Sequence, residues 1–372
     1  MDTYKVALVS DWYYPKIGGI EYAINALGRN LQALGHEVHV ITRQYDNVAH
    51  GDTLDDLPIV RLARNPTAKF FPSPNKLSKI LQAGHYDIIH VHGLDSPMAM
   101  MSLLLAKRVG IPRVLTNHSL LGDIPLRLPL LMACKGLLRS VDAVIAVSSA
   151  VEQESAIMSK GPVYKIPNGV DTLSPNGTLQ TMPLDTKGKI VVATVSRMTK
   201  KKSGYDLVQI APALLAKHKN LLFLMIGDGP LRRRLENKVK QMKLTRNFLF
   251  TGEISRATVL QLLEKADIFV LPSKREAFGI SILEAFLKRT PVVARNHSGV
   301  SDIINHEQTG LLADNKYEMA KYLEKLITST ELAESLSTAA FTEIAKYQWP
   351  DIARRVQDVY SRVIHEKHRA HC

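Results

Sequence analysis

The stretch that decides the fold is Pro272 to Glu284, which reads PSKREAFGISILE. It follows Ala266 to Leu271, a mostly apolar run that is typical of a short buried strand. From Ile280 to Leu287 the apolar residues have helical spacing. The stretch therefore predicts a strand, a loop and a helix in succession, with Glu276 in the loop and Glu284 about one turn into the helix.

The region between the two glutamates is predicted to bind an anion. The backbone N–H groups of Gly279, Ile280 and Ser281 stand at the predicted helix N-terminus, where they have no intrahelical partner and suit a phosphate. Two carboxylates beside an anion site, Glu276 and Glu284, suggest a ligand that has hydroxyl groups as well as phosphates. A nucleotide-sugar has that shape.

Length and composition indicate a globular protein of two domains, because 372 residues with 45% hydrophobic content are long for one core. The chain has no apolar run of about 18 residues, the length expected of a membrane span. It begins with a strand-like segment at Tyr4 to Ser10, so we expect no signal peptide. The only cysteines, Cys134 and Cys372, argue against a disulfide scaffold and favour a cytoplasmic protein.

The positive charge lies mainly in the second half of the chain. The net charge is +13, with 17 Lys and Arg against 15 Asp and Glu in residues 1–172 and 31 against 20 in the remainder. Such an excess favours anionic partners, namely nucleotide diphosphates, acidic lipid headgroups or nucleic acid. The same charge is also typical of an ordinary solvated basic surface.

The first half predicts a βαβ unit with a glycine pair at its first turn. Lys5 to Ser10 reads as a buried strand, a helix begins near Ile20, and Val38 to Thr42 reads as the next strand. Gly18 and Gly19 lie where a doubly wound sheet places its ligand. The pair allows close approach of a phosphate or sugar, or it forms a tight turn that requires positive φ.

Two other features of the first half have a functional and a structural interpretation. His118 follows a predicted strand, Arg113 to Thr116, at an end where functional residues collect in open α/β sheets. A lone histidine is equally typical of a structural role. Residues 124–140 combine leucines with basic residues, which suits either a helix on a membrane surface or a buried helix.

The second half repeats the alternation of strands and helices. Ile190 to Val195 is a predicted strand that ends at Arg197, and Lys200 to Lys202 follow. Leu221 to Ile226 is another, and it ends at Gly227-Asp228-Gly229. An arginine and a nearby lysine at strand ends suit a diphosphate. The predicted divisions are residues 1–172 for the first domain, 173–188 for a linker, 189–348 for the second domain and 349–372 for a last helix and tail.

These motifs together resemble the retaining glycosyltransferases of family 4, which have the GT-B fold. The similarity covers nearly the whole chain and extends to the branch that contains the catalytic subunit of phosphatidylinositol N-acetylglucosaminyltransferase, with its prokaryotic relatives. The segments that carry it are DWYYPKIGGIE, TNHSLLGD, Asn168-Gly169-Val170, Arg197 with Lys202, Gly227-Asp228-Gly229, and Glu276 with Glu284. The resemblance implies an α/β protein of two doubly wound Rossmann-like domains that face each other across a cleft. The first domain would bind the acceptor and the second the nucleotide-sugar, with the last helix packed on the first domain.

The resemblance also assigns roles to individual residues. Glu284 would hold the ribose hydroxyls and Glu276 the hydroxyls of the donor sugar, while Arg197 and Lys202 would neutralise the leaving diphosphate. His118 would contact the transferred sugar near its reacting carbon. The donor-binding backbone would come from Gly18, Gly19, Gly227, Phe278, Gly279, Ile280 and Ser281.

The chain departs from the family pattern at Lys202, because Ser203-Gly204 makes the following segment one residue longer. Lys201 is therefore an alternative phosphate ligand. The chain has no Asp-x-Asp sequence, so we expect no divalent metal and no other cofactor.

The function implied is transfer of a hexose or N-acetylhexosamine from a UDP- or GDP-sugar to a lipid-linked or other glycan acceptor. Peripheral membrane contact through the first domain would go with such an acceptor, and no nucleic acid partner is expected. The alternatives are a GT-B epimerase or phosphorylase, or a non-catalytic basic protein that binds nucleotides or nucleic acid. Low aromatic content, 6%, argues against the last of these.

Overall fold

The structure, a computed structural model, describes residues 2–15, 18–44, 53–54, 57–63, 72–94, 96–120, 136, 138–171, 180 and 186–369. It divides into two compact units. One comprises Met1–Gly169 together with Gln348–Cys372, and the other comprises Val170–Tyr347. Each unit contains its own sheet and its own buried core.

The first unit is built on an eight-stranded sheet. Its strands are β1 (Lys5–Ser10), β2 (Glu37–Arg43), β3 (Thr53–Leu54), β4 (Leu57–Leu62), β5 (Ile88–His92), β6 (Arg113–Asn117), β7 (Ala143–Ala146) and β8 (Val163–Lys165). The strand order is β3-β4-β2-β1-β5-β6-β7-β8, and only β3 is antiparallel to its neighbour. The helices described between β1 and β8 are α1 (Gly19–Ala33), α2 (Pro74–Ala83), α3 (Pro97–Arg108) and α4 (Ser149–Met158).

The second unit is built on a six-stranded, wholly parallel sheet. Its strands are β9 (Ile190–Val195), β10 (Leu221–Ile226), β11 (Phe248–Gly252), β12 (Ile268–Leu271), β13 (Val292–Arg295) and β14 (Leu311–Ala313). Its helices are α5 (Gly204–Lys217), α6 (Arg232–Gln241), α7 (Arg256–Glu264), α8 (Ile280–Leu287), α9 (Lys316–Thr328) and α10 (Thr330–Glu343). Short 3-10 segments lie at Thr245–Asn247, Ser298–Asp302 and Ile344–Tyr347.

The strand order places a ligand-binding edge in each sheet. The second sheet runs β11-β10-β9-β12-β13-β14, so the winding direction reverses between β9 and β12. The first sheet reverses between β1 and β5. In open α/β sheets, ligands bind beyond the carboxyl ends of the strands at such a reversal. The prediction of two doubly wound α/β sheets is confirmed.

Local sequence explains the strands and many helix starts. All six residues of β10, LLFLMI, are buried, as expected for a parallel strand covered on both faces. Ser96 caps α3, since its hydroxyl accepts a hydrogen bond from the Ala99 N–H at 3.0 Å, and Pro97 occupies the first helical position.

The last helix, α11 (Trp349–Arg369), belongs to the first unit, as predicted. The Trp349 indole N–H donates to the Tyr22 hydroxyl at 3.0 Å, and the Tyr360 hydroxyl lies 2.7 Å from His90 Nδ1. A Cβ atom at Gly169 would lie 2.6 Å from the Trp349 ring, so the tight packing of this ring requires glycine.

Two sequence predictions fall largely outside the described residues. The basic apolar segment 124–140 is described only at residue 136 and residues 138–140, and the linker 173–188 only at residue 180 and residues 186–188. Among the helices that the structure describes, none combines the length and apolar character needed to cross a bilayer.

Candidate functional site

The segment after β12 forms a candidate anion site from backbone N–H groups at the start of α8. Gly279, the residue before the helix, has φ 110° and ψ 58°, a left-handed conformation that favours glycine. Within the described part of the chain, no acceptor takes a hydrogen bond from the N–H groups of Gly279, Ile280 and Ser281. Orphan N–H groups at the positive end of a helix attract phosphate oxygens, so this backbone can hold a phosphate.

The side chain of Phe278 anchors that backbone in the core. Its side chain is buried and its ring centroid lies 6.1 Å from that of Tyr347. The Tyr347 hydroxyl donates to the Asp302 carbonyl at 3.2 Å. Burial raises the pKa of Tyr347 to about 12, so this phenol stays protonated and acts as a structural donor. The Phe278 side chain is therefore an anchor, and its backbone is the part available to a ligand.

Lys202 and Glu276 form an ion pair beside this site. Lys202 Nζ lies 2.5 Å from Glu276 Oε2, and both side chains are largely buried. Their loops are joined by a hydrogen bond of 2.8 Å from the Lys274 N–H to the Lys201 carbonyl. Ser203, which follows Lys202, has φ 51°, and this left-handed residue turns the chain into α5. A lysine and a carboxylate thus stand side by side, one suited to phosphate and the other to hydroxyl groups.

Arg197 is held by a glycine-dependent contact between two loops. The Met198 N–H donates to the Asp228 carbonyl at 2.8 Å. A Cβ atom on Gly227 would lie 2.4 Å from the Ser196 carbonyl oxygen. A Cβ atom on Gly229 would lie 2.6 Å from the Met198 carbonyl oxygen. The Gly-Asp-Gly motif is therefore explained by close packing, and the predicted contact of Gly227 with the donor stays a prediction.

The Arg197 side chain itself is exposed. Among the residues that the structure describes, no carboxylate forms an ion pair with it. Its guanidinium is thus available to an incoming anion.

Glu284 is paired with an arginine that the sequence analysis missed. Glu284 is buried, and its Oε1 accepts a hydrogen bond of 2.9 Å from Arg256 Nε. Burial raises the pKa of Glu284, while the attraction of Arg256 opposes that rise. Arg256 lies in the first turn of α7, and no recognisable motif marks it. The arginine orients the carboxylate that is predicted to hold the ribose.

The glycine pair of the first unit does not form a positive-φ turn. Gly18 precedes α1 with φ −176°, which is extended backbone open to any residue, and Gly19 is the first helical residue. The interpretation as a tight turn is therefore wrong. Close approach of a ligand to the start of α1 remains the interpretation of this pair.

His118 lies in a cluster of histidines at the ends of β5 and β6. His118 Nε2 is 3.0 Å from His92 Nδ1, and the two rings are stacked with centroids 5.3 Å apart. His90, two residues before His92, contacts Thr116 and Tyr360. Burial lowers the pKa of His118 to about 4 and that of His90 to about 3, and it holds the pKa of His92 well below its usual value. All three imidazoles are therefore neutral at pH 7.

This cluster should make the first unit sensitive to acid. A histidine whose pKa is depressed in the folded state stabilises the fold fully above its ordinary value of 6.5 and loses that contribution as the pH falls through the folded value. For buried His90 the loss between pH 6.5 and 4 should be about 2–3 kcal/mol. Denaturant unfolding of wild type and His90→Gln at several pH values will measure it. The variant should have a flatter pH dependence, whereas exposed His85→Asn should follow wild type; equal slopes in all three would contradict the prediction.

The predicted site residues thus fall into two groups, one in each unit. The second unit carries Arg197, Lys202, Gly227, Glu276, Phe278, Gly279, Ile280, Ser281 and Glu284, on loops and helix starts that follow β9, β10 and β12. The first unit carries Gly18, Gly19 and His118. Over the described ranges, no group of three His, Cys, Asp or Glu side chains is arranged to hold a metal ion.

Comparison with known families matches both units. The family model described as Glycosyltransferase Family 4 matches residues 17–173, and the one described as Glycosyl transferases group 1 matches residues 182–343. The two matched ranges lie one after the other and together cover most of the chain.

Curated relatives match along nearly the full chain. A phosphatidylinositol N-acetylglucosaminyltransferase subunit of Homo sapiens is 29% identical over 97% of this chain and 76% of its own length. The corresponding subunit from Arabidopsis thaliana is 26% identical over 97% of this chain and 82% of its own length. A 2-deoxystreptamine N-acetyl-D-glucosaminyltransferase of Niallia circulans is 34% identical over 42% of this chain and 41% of its own length.

Solved structures share the fold. The HepE protein of Anabaena, determined in complex with UDP and glucose, superposes with a TM-score of 0.80 at 20% identity and covers 96% of this chain and 99% of its own. A sucrose-phosphate synthase from Thermosynechococcus elongatus gives a TM-score of 0.79 at 22% identity, covering 98% and 100%. The chain therefore belongs to glycosyltransferase family 4, as a hexosyltransferase of the GT-B fold that uses a nucleotide-sugar.

Proposed function

We propose that the protein is a retaining glycosyltransferase that moves N-acetylglucosamine from a UDP-linked donor to a phosphatidylinositol-type lipid. The observation that carries the proposal is the contact of Lys202 with Glu276 beside the unpaired backbone N–H groups at the start of α8. This arrangement offers a cation and orphan N–H groups for phosphates and a carboxylate for sugar hydroxyls. A nucleotide-sugar needs all three.

The relatives support the choice of donor sugar more strongly than the choice of acceptor. The human and plant relatives are named for N-acetylglucosaminyl transfer to phosphatidylinositol, and the Niallia relative for the same transfer to 2-deoxystreptamine. The transferred unit is common to these names, while the acceptor differs. The lipid acceptor is favoured because the relatives named for it match along nearly the whole chain.

The proposed chemistry relies on fixed positive charge at the leaving group. Arg197 and Lys202 bind the diphosphate and stabilise the charge that develops as the bond between the sugar C1 and the phosphate oxygen breaks. The acceptor hydroxyl attacks C1 from the same face, and its proton passes to the departing phosphate oxygen. Two cations on the protein perform the charge neutralisation that a divalent ion performs elsewhere, so we propose that transfer needs no metal.

The remaining residues position the donor. Glu276 accepts hydrogen bonds from the sugar hydroxyls, and Glu284, oriented by Arg256, accepts them from the ribose. His118 contacts the transferred sugar near its reacting carbon. The backbone at Gly18 and Gly19 approaches the donor closely.

We also propose that the protein works at the cytosolic face of a membrane as a peripheral enzyme. A phosphatidylinositol acceptor resides in a bilayer, and the headgroup of that lipid is anionic. The positive net charge of +13 favours attraction to such a surface.

A panel of nucleotide-sugars tests the donor. Purified protein should be stabilised against thermal unfolding more by UDP-N-acetylglucosamine than by UDP-glucose, GDP-mannose or ADP-glucose. At 100 times its dissociation constant, UDP-N-acetylglucosamine should raise the free energy of unfolding by about 2.7 kcal/mol. The stabilisation should persist in excess EDTA, because the diphosphate ligands are protein cations. Preference for another donor would overturn the choice of sugar or base, and loss in EDTA would overturn metal independence.

Product analysis tests the acceptor and the stereochemistry. Radiolabelled sugar from the donor should appear in a lipid product only with vesicles that contain phosphatidylinositol, and the new linkage should keep the α configuration of the donor. Release of free sugar or an epimerised nucleotide-sugar without acceptor would instead support the alternative reactions.

A further inference from the structure

Buried His92 and half-buried His118 lie in direct contact in the first unit, and the proton between them can be located. His92 ends β5, and His118 follows β6, the neighbouring strand. The 3.0 Å separation of His92 Nδ1 and His118 Nε2 is a hydrogen-bond distance. Because both rings are neutral, the bond holds a single proton, carried by one nitrogen or the other.

The surroundings of His92 decide between the two arrangements. His92 is 2% exposed, and its Nε2 has no hydrogen-bond partner among the described residues. If Nδ1 of His92 accepted a hydrogen bond from His118, the single proton of the neutral His92 ring would be on Nε2. That N–H group would then be buried without an acceptor. If Nδ1 donates, Nε2 is a bare acceptor, and buried acceptors without a partner are tolerated better than buried N–H groups.

A small cavity beside the pair does not change this balance. His92, Thr116, His118 and Asn168 line a cavity of about 20 Å³ together with apolar side chains. That volume is sufficient for one water molecule. Nε2 of His92 has almost no accessible surface, so a water in this cavity does not reach it, and an N–H group placed there would still lack an acceptor.

We propose that His92 is a positioning residue that donates from Nδ1 to His118 Nε2 and thereby presents His118 to the substrate as a neutral donor from Nδ1. The hydrogen bond made by one ring nitrogen sets which nitrogen of the other ring carries the proton. His118 Nδ1 has no partner within the described part of the chain. His118 then offers an N–H group to a sugar hydroxyl, and it acts neither as a base nor as a cation. This inference rests on the proposed role of His118 in glycosyl transfer.

His90 does not share this role, although it stands two residues away. Its Nδ1 lies 2.7 Å from the Tyr360 hydroxyl and its Nε2 lies 2.6 Å from Thr116 Oγ1, so both ring nitrogens have partners in the core. The His90 and His92 rings are in contact, with centroids 4.3 Å apart, without a hydrogen bond between them. His90 links β5, β6 and the last helix, which makes it a matched structural control.

Nitrogen NMR of protein labelled at histidine tests the proton placement without any activity. The His118 signals, identified as those lost in His118→Ala, should show a protonated Nδ1 and a bare Nε2 in wild type. His92→Asn keeps a donor amide near the position of Nδ1 and should preserve this pattern. His92→Asp offers only acceptors and should reverse it. His118 protonated at Nε2 in wild type would overturn the proposal.

Steady-state kinetics test the consequence for the reaction. His92→Asn should retain kcat within about threefold. In His92→Asp, whose side chain is nearly isosteric with that of asparagine, kcat should fall about tenfold or more, the value of one neutral hydrogen bond. The aspartate should also introduce a pH dependence of kcat near neutrality, because a carboxylate raises the pKa of the adjacent imidazole.

The controls separate this inference from the proposed function. His90→Asn should lower stability while leaving the His118 signals and the pH profile unchanged. Equal kcat and equal pH profiles in the Asn and Asp variants of His92 would overturn the positioning role. If wild type transfers no sugar but shows the expected His118 signals, the proposed reaction fails and the proton placement stands.

Discussion

Arg197→Ala should lower kcat/KM for sugar transfer about 10³-fold while the protein remains folded, because one preorganised group that stabilises developing charge contributes about this much. The side chain is exposed, and no carboxylate in the described ranges pairs with it, so its removal leaves no buried charge. The loss should fall mainly on kcat, since the guanidinium meets the most charge as the diphosphate departs. Initial-rate kinetics with the donor that best stabilises the protein will measure it.

The controls for Arg197 address charge and geometry separately. Arg197→Lys keeps the charge without the planar pair of donors, and it should recover only part of the lost rate. Exposed Arg246→Ala removes a cation elsewhere on the second unit and should have wild-type kinetics. Turnover of Arg197→Ala within a fewfold of wild type would contradict the assignment, provided that its melting temperature is unchanged.

Glu276→Ala should lower kcat/KM about 100-fold or more, since a site built to bind a hydroxyl by charged hydrogen bonds loses both binding and orientation when the acceptor is removed. Lys202 Nζ lies 2.5 Å from this carboxylate. Removal of Glu276 therefore also frees Lys202 from its fixed position. Glu276→Gln, which keeps one acceptor but no charge, should be intermediate.

A double-mutant cycle resolves the two effects at Glu276. If the carboxylate acts only by holding Lys202, then Lys202→Ala and the double variant should be equally impaired. If Glu276 also binds the sugar directly, as proposed, the double variant should be worse than either single one. Glu253→Ala removes an exposed carboxylate from the same unit and is the matched control. Retention of full activity in Glu276→Ala would contradict the proposed sugar contact.

The sequence predicted the fold well because its signals are local. Buried parallel strands read as continuous apolar runs, as in the LLFLMI of β10, and helix starts are marked by caps and by glycine. Gly279 is one example, since its φ of 110° is expected for a residue between a strand-following loop and a helix. Boundaries were less accurate: the strand predicted from Val38 to Thr42 extends from Glu37 to Arg43.

The sequence predicted the candidate site less completely, because side-chain pairing is not local. Arg256 and Glu284 are 28 residues apart and touch only because α7 and α8 pack together in the second unit. No motif marks the arginine. No motif marks His92 either, since its neighbour His118 is 26 residues away and follows the adjacent strand.

The structure shows what surrounds two of the glycine motifs. Gly18 and Gly19 suggested a positive-φ turn, yet Gly18 is extended. Gly227 stays a predicted donor contact, and the structure adds a packing reason for glycine there, since a Cβ atom would lie 2.4 Å from the Ser196 carbonyl oxygen. A glycine in a sequence indicates that a side chain is excluded, but only the packed neighbours identify what excludes it.

By itself the sequence determined two α/β domains and the strand-loop-helix segment from Pro272 to Glu284, and it predicted the free backbone N–H groups at the start of that helix. Short-range apolar patterning and helix-start chemistry suffice for these features. The tertiary structure alone decided that Lys202 rather than another lysine pairs with Glu276, which side chain orients Glu284, and that His118 is joined to His92. Each of these depends on contacts between chain segments far apart in sequence, which form only when the sheets bring their strand ends together.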